Sequence, residues 1–454
     1  MLDRRLFLKG AGTLAFSGLL SSTFIHSKAH ALKNTATGYG PLQKDHKGIL
    51  DLPKDFDYQV ISSFNDVMSD GFHVPDRADG MGCFALSKEK IALVRNHELK
   101  PAHLLSQPES IQELKSEFAY DTSPNGIALP GGTTTIIYNL ATKQVEKQHL
   151  SLIGTIRNCS GGTTPWGSWL SCEESVTTSG INNKYDHGYI FEVPANANGL
   201  TEPVPLKAMG RFNHEAACVD PNTGIVYLTE DRGDSLFYRF IPNVYGELAK
   251  GGKLQALAIK GMSKFDSRNW ESASMKVGQW HEAQWIELDE PESPNDDLRK
   301  RGYKLGATLF ARGEGVHWAD NELYFTCTNG GEKKIGQIMR YQPQLAQLPS
   351  ENQGGRIQLF LESNNAEKYN FGDNLTVTPQ GHLLVCEDQY TEVVENHLRG
   401  VTPTGDLYDF AKLNLQTELA GACFSPCGST LFVNVYSPTM TLAITGPWDK
   451  HSKE

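Results

Sequence analysis

Asp220-Pro221-Asn222-Thr223-Gly224-Ile225-Val226-Tyr227-Leu228-Thr229-Glu230-Asp231 carries the pattern that decides the fold. A turn built on Pro and Gly feeds a short apolar run, and an acidic pair ends it. Pro presets the turn, Gly supplies its positive φ, and a run of four or five apolar residues between such signals reads as a buried strand.

The same order recurs on both sides. Thr164-Pro165-Trp166-Gly167-Ser168-Trp169-Leu170-Ser171-Cys172-Glu173-Glu174 precedes it, and Thr378-Pro379-Gln380-Gly381-His382-Leu383-Leu384-Val385-Cys386-Glu387-Asp388 follows. Weaker copies run from Glu322 to Asn329 and from Ser425 to Asn434. A unit of this kind cannot bury its own faces, so repetition predicts blades packed around an axis. The expected fold is all-β, a β-propeller with insertions between blades. Five or six blades fit the length, and a pair of packed sheets is the alternative. The charged segment 250–305 reads as a large inter-blade insertion with few strands. The stretch 104–120 reads as a short helix on another insertion.

The N-terminus reads as an export signal. Asp3-Arg4-Arg5-Leu6-Phe7-Leu8-Lys9 matches a twin-arginine consensus, a broken apolar stretch runs from Ala11 to Ile25, and Ala29-His30-Ala31 supplies a small-x-small cleavage site. Residues 1–31 are therefore expected to be a signal peptide and 32–454 a single propeller domain. The chain would engage the twin-arginine translocation machinery and work in the periplasm or outside the cell, with no stable membrane span. A formal charge of −11 argues against nucleic-acid binding. The eight cysteines are sparse for a disulfide framework, and those in apolar runs, such as Cys327 and Cys386, read as buried strand residues.

Equivalent strand ends of a propeller face the central channel, so the pairs Glu173-Glu174, Glu230-Asp231 and Glu387-Asp388 would converge there. Carboxylates brought together raise one another's pKa, and a hard cation such as Ca²⁺ removes that cost. Arg95-Asn96-His97-Glu98, Asn213-His214-Glu215 and Arg312-Gly313-Glu314-Gly315 are further polar clusters. In an extended segment Arg312 and Glu314 point the same way. One would contact an anion while the other holds a cation, as phosphoryl transfer requires. Cys159, set among Asn158 and Gly161-Gly162, is open to three readings: a thiolate metal ligand, a nucleophile, or half of a disulfide.

These segments are also where the chain resembles the PhoX family of alkaline phosphatases. The run Asn158–Glu174 matches the family pattern throughout. Gly131-Gly132-Thr133-Thr134, Asn96-His97-Glu98, His214-Glu215, Arg312-Gly313-Glu314-Gly315, Cys386-Glu387-Asp388 and Thr445-Gly446-Pro447-Trp448 match in order. The resemblance implies a six-bladed propeller with a cofactor of Fe³⁺ and Ca²⁺ in its channel. It implies hydrolysis of small-molecule phosphate monoesters for phosphate acquisition. Cys159 would be the thiolate ligand to iron. Glu174, Glu215, Glu314 and Asp388 would be carboxylate ligands, and Arg312 would hold the substrate phosphate, with Glu314 beside it at the catalytic centre. Glu98, Glu173 and Glu387 are further metal-ligand candidates, with Glu230 and Asp231 close by. The chain looks shorter than typical members. On the acid ring alone, a Ca²⁺-dependent lactonase or esterase and a non-catalytic periplasmic propeller are the competing readings.

Overall fold

In the computed structural model the run Asp220–Asp231 is a turn followed by the strand Val226–Glu230, and alternate residues of that strand bury opposite faces. Val226 and Leu228 join a cluster containing Leu170, Phe240 and Leu254. Tyr227 joins another with Phe237, Phe325 and Tyr341. A strand buried on both faces between neighbouring sheets needs apolar residues at every position, which is why the run does not alternate with polar ones. The structure describes residues 38–344 and 354–451. The expected signal peptide, 1–31, lies outside them. Among the described residues no helix is long and apolar enough to cross a membrane.

The fold is all-β and propeller-like. One unit comprises His214–Val219, Val226–Glu230, Tyr238–Pro242 and Gly252–Ile259, each antiparallel to the next. Gly313–Trp318, Leu323–Cys327, Gln337–Gln342 and Arg356–Glu362 repeat that order, as do Ala78–Ala85, Lys90–His97, Gly131–Asn139 and Gln144–Thr155. A three-stranded sheet starts at Asn158–Thr163, and a longer one starts at Gly372–Val377. The last starts at Leu419–Phe424 and takes its outer strand, Asp57–Ser63, from the opposite end of the chain, paired with Met440–Thr445. The first strands of these units touch in chain order, and Leu419–Phe424 touches Ala78–Ala85, so they close a ring around a channel.

One expectation about insertions changes. The segment 250–305 carries more strand than its charge suggested. Gly252–Ile259 is the outer strand of its unit, and Trp280–Glu287 bridges it to Arg356–Glu362, merging two units into a nine-stranded sheet. Its exposed positions are polar because Trp280–Glu287 buries only alternate residues. In the stretch 104–120 the helix is one turn, Glu109–Gln112, preceded by a 3₁₀ segment, Pro101–Ser106. Among the described residues all eight cysteines are free.

Candidate metal centre

Every first strand carries a bulge at the same place. Gly313 pairs with Cys327 and Val316 with Phe325, so three steps on one strand oppose two on the other. The same irregularity falls between Ala78 and Met81, Asn158 and Gly161, His214 and Ala217, Gly372 and Leu375, and Ala420 and Cys423. A bulge inserts an unpaired residue and re-aims its side chain. The first bulged residues are Asp79, Cys159, Glu215, Glu314, Asp373 and Gly421. Five of the six bring a carboxylate or a thiol to one end of the channel.

A second set follows the second strands. Glu98, Glu174, Asp231 and Asp388 come one residue after Lys90–His97, Ser168–Glu173, Val226–Glu230 and Leu383–Glu387. Ligand atoms of Cys159, Glu174 and Glu215 lie within 4.8 Å of one another; so do those of Glu215, Glu314 and Asp373, and those of Asp373, Asp388 and Glu418. The Cys159 thiol donates to Glu215 Oε2 at 2.6 Å.

The preceding residues point the other way, because side chains alternate along a strand. Glu173 accepts from the Ile156 and Gly188 amides and pairs with His187 Nδ1 at 2.6 Å. Glu387 accepts from the Asn370 amide and from Arg399 Nε at 2.9 Å. Glu230 accepts from the Tyr238 hydroxyl at 2.6 Å and lies 3.5 Å from Arg299. All three are fully buried within their sheets. Glu173 and Glu387 stand outside the three ligand groups, with their oxygens already taken by protein donors.

Three arginines rim the ring: Arg77, Arg157 and Arg312 each sit one residue before a first strand, with φ of 58°, 51° and 49°. Left-handed backbone at non-glycine residues is strained and clusters at functional sites. Arg312 Nε and Nη2 donate to Asp231 at 2.6 and 2.9 Å, and Nη2 also reaches Glu314 at 3.0 Å and the Tyr390 hydroxyl at 3.2 Å. Arg157 Nε donates to Glu98 at 2.6 Å, and its Nη2 pairs with Glu174.

These arginines are too few to neutralise the carboxylates. Burial first, and neighbouring carboxylates second, push the Asp79, Glu215, Glu314 and Glu418 acids well above their usual range. Asp373 is lifted to about 7 for the same reasons, with Asp388 the main neighbour. Burial likewise raises the Cys159 thiol, with Glu215 adding to the effect. Asp79 Oδ1 and Glu215 Oε1 are buried with no hydrogen-bond partner. Unpaired buried oxygens among crowded acids and one thiol form a donor set suited to cations. Further along the same strands the channel opens into a cavity of about 300 Å³, whose lining includes Met81, Ala217, Val316, Leu375 and Ala422.

Sequence reading missed Asp79, Asp373 and Glu418. The first two were detectable by aligning the repeats on their first strands, where Gly372-Asp373 stands as Gly313-Glu314 does. Glu418 precedes its strand and has no counterpart.

Comparisons with known proteins bear on this site. The family model described as alkaline phosphatase PhoX matches residues 37–144 and 127–439. No curated protein sequence matches. Among solved structures, Pseudomonas fluorescens PhoX in complex with vanadate, a transition state analogue, superposes with a TM-score of 0.65 at 18% identity, covering 88% of this chain and 96% of that one. A gluconolactonase from Xanthomonas campestris gives a TM-score of 0.41 at 9% identity, over 90% of this chain and 99% of that one.

Proposed function

The chain belongs to the PhoX alkaline phosphatase family, and from that membership we propose that it is an exported enzyme hydrolysing phosphate monoesters at the ring of bulged residues. The observation that carries the reading is the convergence of Cys159, Glu174, Glu215, Glu314, Asp373, Asp388 and Glu418 at one end of the channel, beneath Arg312.

The residues fit a mixed metal cofactor. The set with a thiol, Cys159 with Glu174 and Glu215, suits iron. The all-oxygen sets, Glu215–Glu314–Asp373 and Asp373–Asp388–Glu418, suit Ca²⁺. Bound there, Fe³⁺ and Ca²⁺ would supply Lewis acidity toward phosphate oxygens and a nucleophilic oxygen at neutral or alkaline pH. Glu98 lies one contact further out, through Arg157. Glu173 and Glu387 serve the sheets behind the ring, as their protein partners support.

Arg312 binds and orients the phosphate. Burial disfavours its charge, but Glu314 and Asp231 outweigh that and hold the guanidinium protonated throughout the alkaline range. The Asp231 fork and the Tyr390 hydroxyl hold Nε and Nη2 and fix the guanidinium plane, so the Nη1 donors meet developing charge on the phosphate without reorganising. The ring of first strands reads as six blades, with the merged nine-stranded sheet counted as two. Residues 1–31 act as the twin-arginine signal, placing the enzyme in the periplasm or beyond for phosphate recovery.

Arg312→Gln tests this assignment. Turnover of an aryl phosphate should fall about 100-fold, the scale of losing a charge-stabilising donor at the transition state, while metal content holds. Unchanged turnover would remove Arg312 from the site.

A further inference from the structure

Beside the ring lies an open cleft of about 480 Å³, lined by Lys100, Arg157, Glu174, Thr177, Asn213 and Arg232 among others. Its charge is opposite to that of the ring. We propose that this cleft is a subsite for a second anionic group on the substrate, so that the enzyme favours phosphate monoesters whose leaving group itself carries a phosphate. The proposal rests on the phosphatase reading above and names its substrate class.

Position comes first. The cleft borders the ring through Glu174 and Arg157, and the Arg312 amide donates to the Arg232 carbonyl at 3.0 Å. On this proposal the leaving group of a phosphate held by Arg312 lies on this side of the ring, toward Glu174 and Arg232. Arg157 is held by Glu98 and Glu174, but the other two cations are under-used. Arg232 Nε is buried with no hydrogen-bond partner; its Nη2 donates to Asn213 Oδ1 at 3.1 Å and lies 3.7 Å from Asp296. Lys100 is exposed and carries no ion pair among the described residues. Arg157 occupies the place in its repeat that Arg312 occupies in its own, with the same left-handed backbone and a side chain 27% exposed against 24%. Arginine forks match phosphate oxygens, and a point-charged lysine completes the set.

The test compares two substrates on the metal-loaded enzyme, an aryl phosphate and a nucleoside 3′,5′-bisphosphate, in wild type, Lys100→Gln and Arg232→Gln. The expected result is that the ratio of kcat/KM, bisphosphate over aryl phosphate, falls about tenfold in each variant, through KM. Calorimetry with the bisphosphate should show the same loss of affinity, and this arm reads out even if turnover is absent. Lys100 has no ion pair to lose, so its variant remains informative should Arg232→Gln misfold. An unchanged ratio and unchanged affinity in Lys100→Gln would overturn the subsite. Failure of wild type to hydrolyse either substrate would instead count against the phosphatase reading, leaving the calorimetric comparison to decide the cleft.

Discussion

Glu173 and Glu174 are neighbours of identical chemistry with opposite surroundings. Strand alternation turns Glu173 into its sheet, against His187 and the Ile156, Gly188 and Tyr189 amides, and leaves Glu174 facing Cys159 and Glu215. Glu173→Ala should destabilise the protein by about 3 kcal/mol, since it strands buried donors. Glu174→Gln should leave the denaturation midpoint of the metal-free form near wild type, or higher, while bound metal falls. Denaturant melts and metal analysis separate the two; the reverse pattern would mean the pair had been assigned backwards. The sequence showed the acidic pairs but not which member faces the channel. That depends on where each strand ends, and a one-residue slip exchanges the two faces.

Titration at this scale also has a sign. Asp373 is raised to about 7 in the folded chain from an ordinary 3.8. Between those values the unfolded chain has lost its proton and the folded chain keeps it, so metal-free stability falls as pH rises. For His187, burial alone would lower the pKa, but Glu173 and Asp121 outweigh it and lift the group from 6.5 to about 9. Its contribution is complete below pH 6.5 and is lost as pH climbs through 9. Both act in one direction. Below pH 6.5 they are opposed by His97, His214 and His317, which burial holds neutral and which therefore gain stability as pH rises, so the melting temperature of chelator-treated protein should decline from pH 7 to 9. Metal-loaded protein should decline much less, because cations offset the carboxylate charge. A metal-free melting temperature that rises over this range would contradict the account.

At the scale of elements, the bulged first strand is the device that makes the site. It is repeated in every unit, and only its first bulged residue varies in chemistry. The last unit in the chain has Gly421 there, with φ of 62°, and a Cβ at that position would lie 2.3 Å from the Asp79 carbonyl oxygen. Gly421 also donates its amide to Asn374 Oδ1 at 2.8 Å. Gly421→Ala should thus cost at least about 2 kcal/mol, combining backbone strain with a backbone clash. It should also weaken metal binding by displacing Asp79. Thermal melts and metal titration check both. The apolar runs and turns of these strands were readable from sequence, because period and punctuation are local. The bulges were not, because they are defined by pairing with the neighbouring strand. That is why the sequence reading named Glu215 and Glu314 but not Asp79 and Asp373, although the structure brings all four to the same end of the channel.

At the scale of the whole molecule, closure sets the geometry. Asp57–Ser63 pairs with Met440–Thr445, so residues from opposite ends of the chain complete one sheet and lock the ring. A closed ring holds the bulged residues at fixed spacing around one axis, which a metal centre needs and an open array would not give. The repeat predicted this architecture. Merging of two units through Trp280–Glu287 was hidden, because that strand lies in a charged stretch and pairs across a long gap in sequence. The measurement that tests the central claim most directly is hydrolysis of an aryl phosphate at alkaline pH by the purified protein, with iron and calcium quantified, before and after chelation and after Ca²⁺ is restored. The account predicts turnover in the loaded protein, loss on chelation, recovery with Ca²⁺, and iron that is absent from Cys159→Ser. Turnover that survives complete metal removal, or a metal-replete folded protein that hydrolyses no phosphate ester, would contradict it.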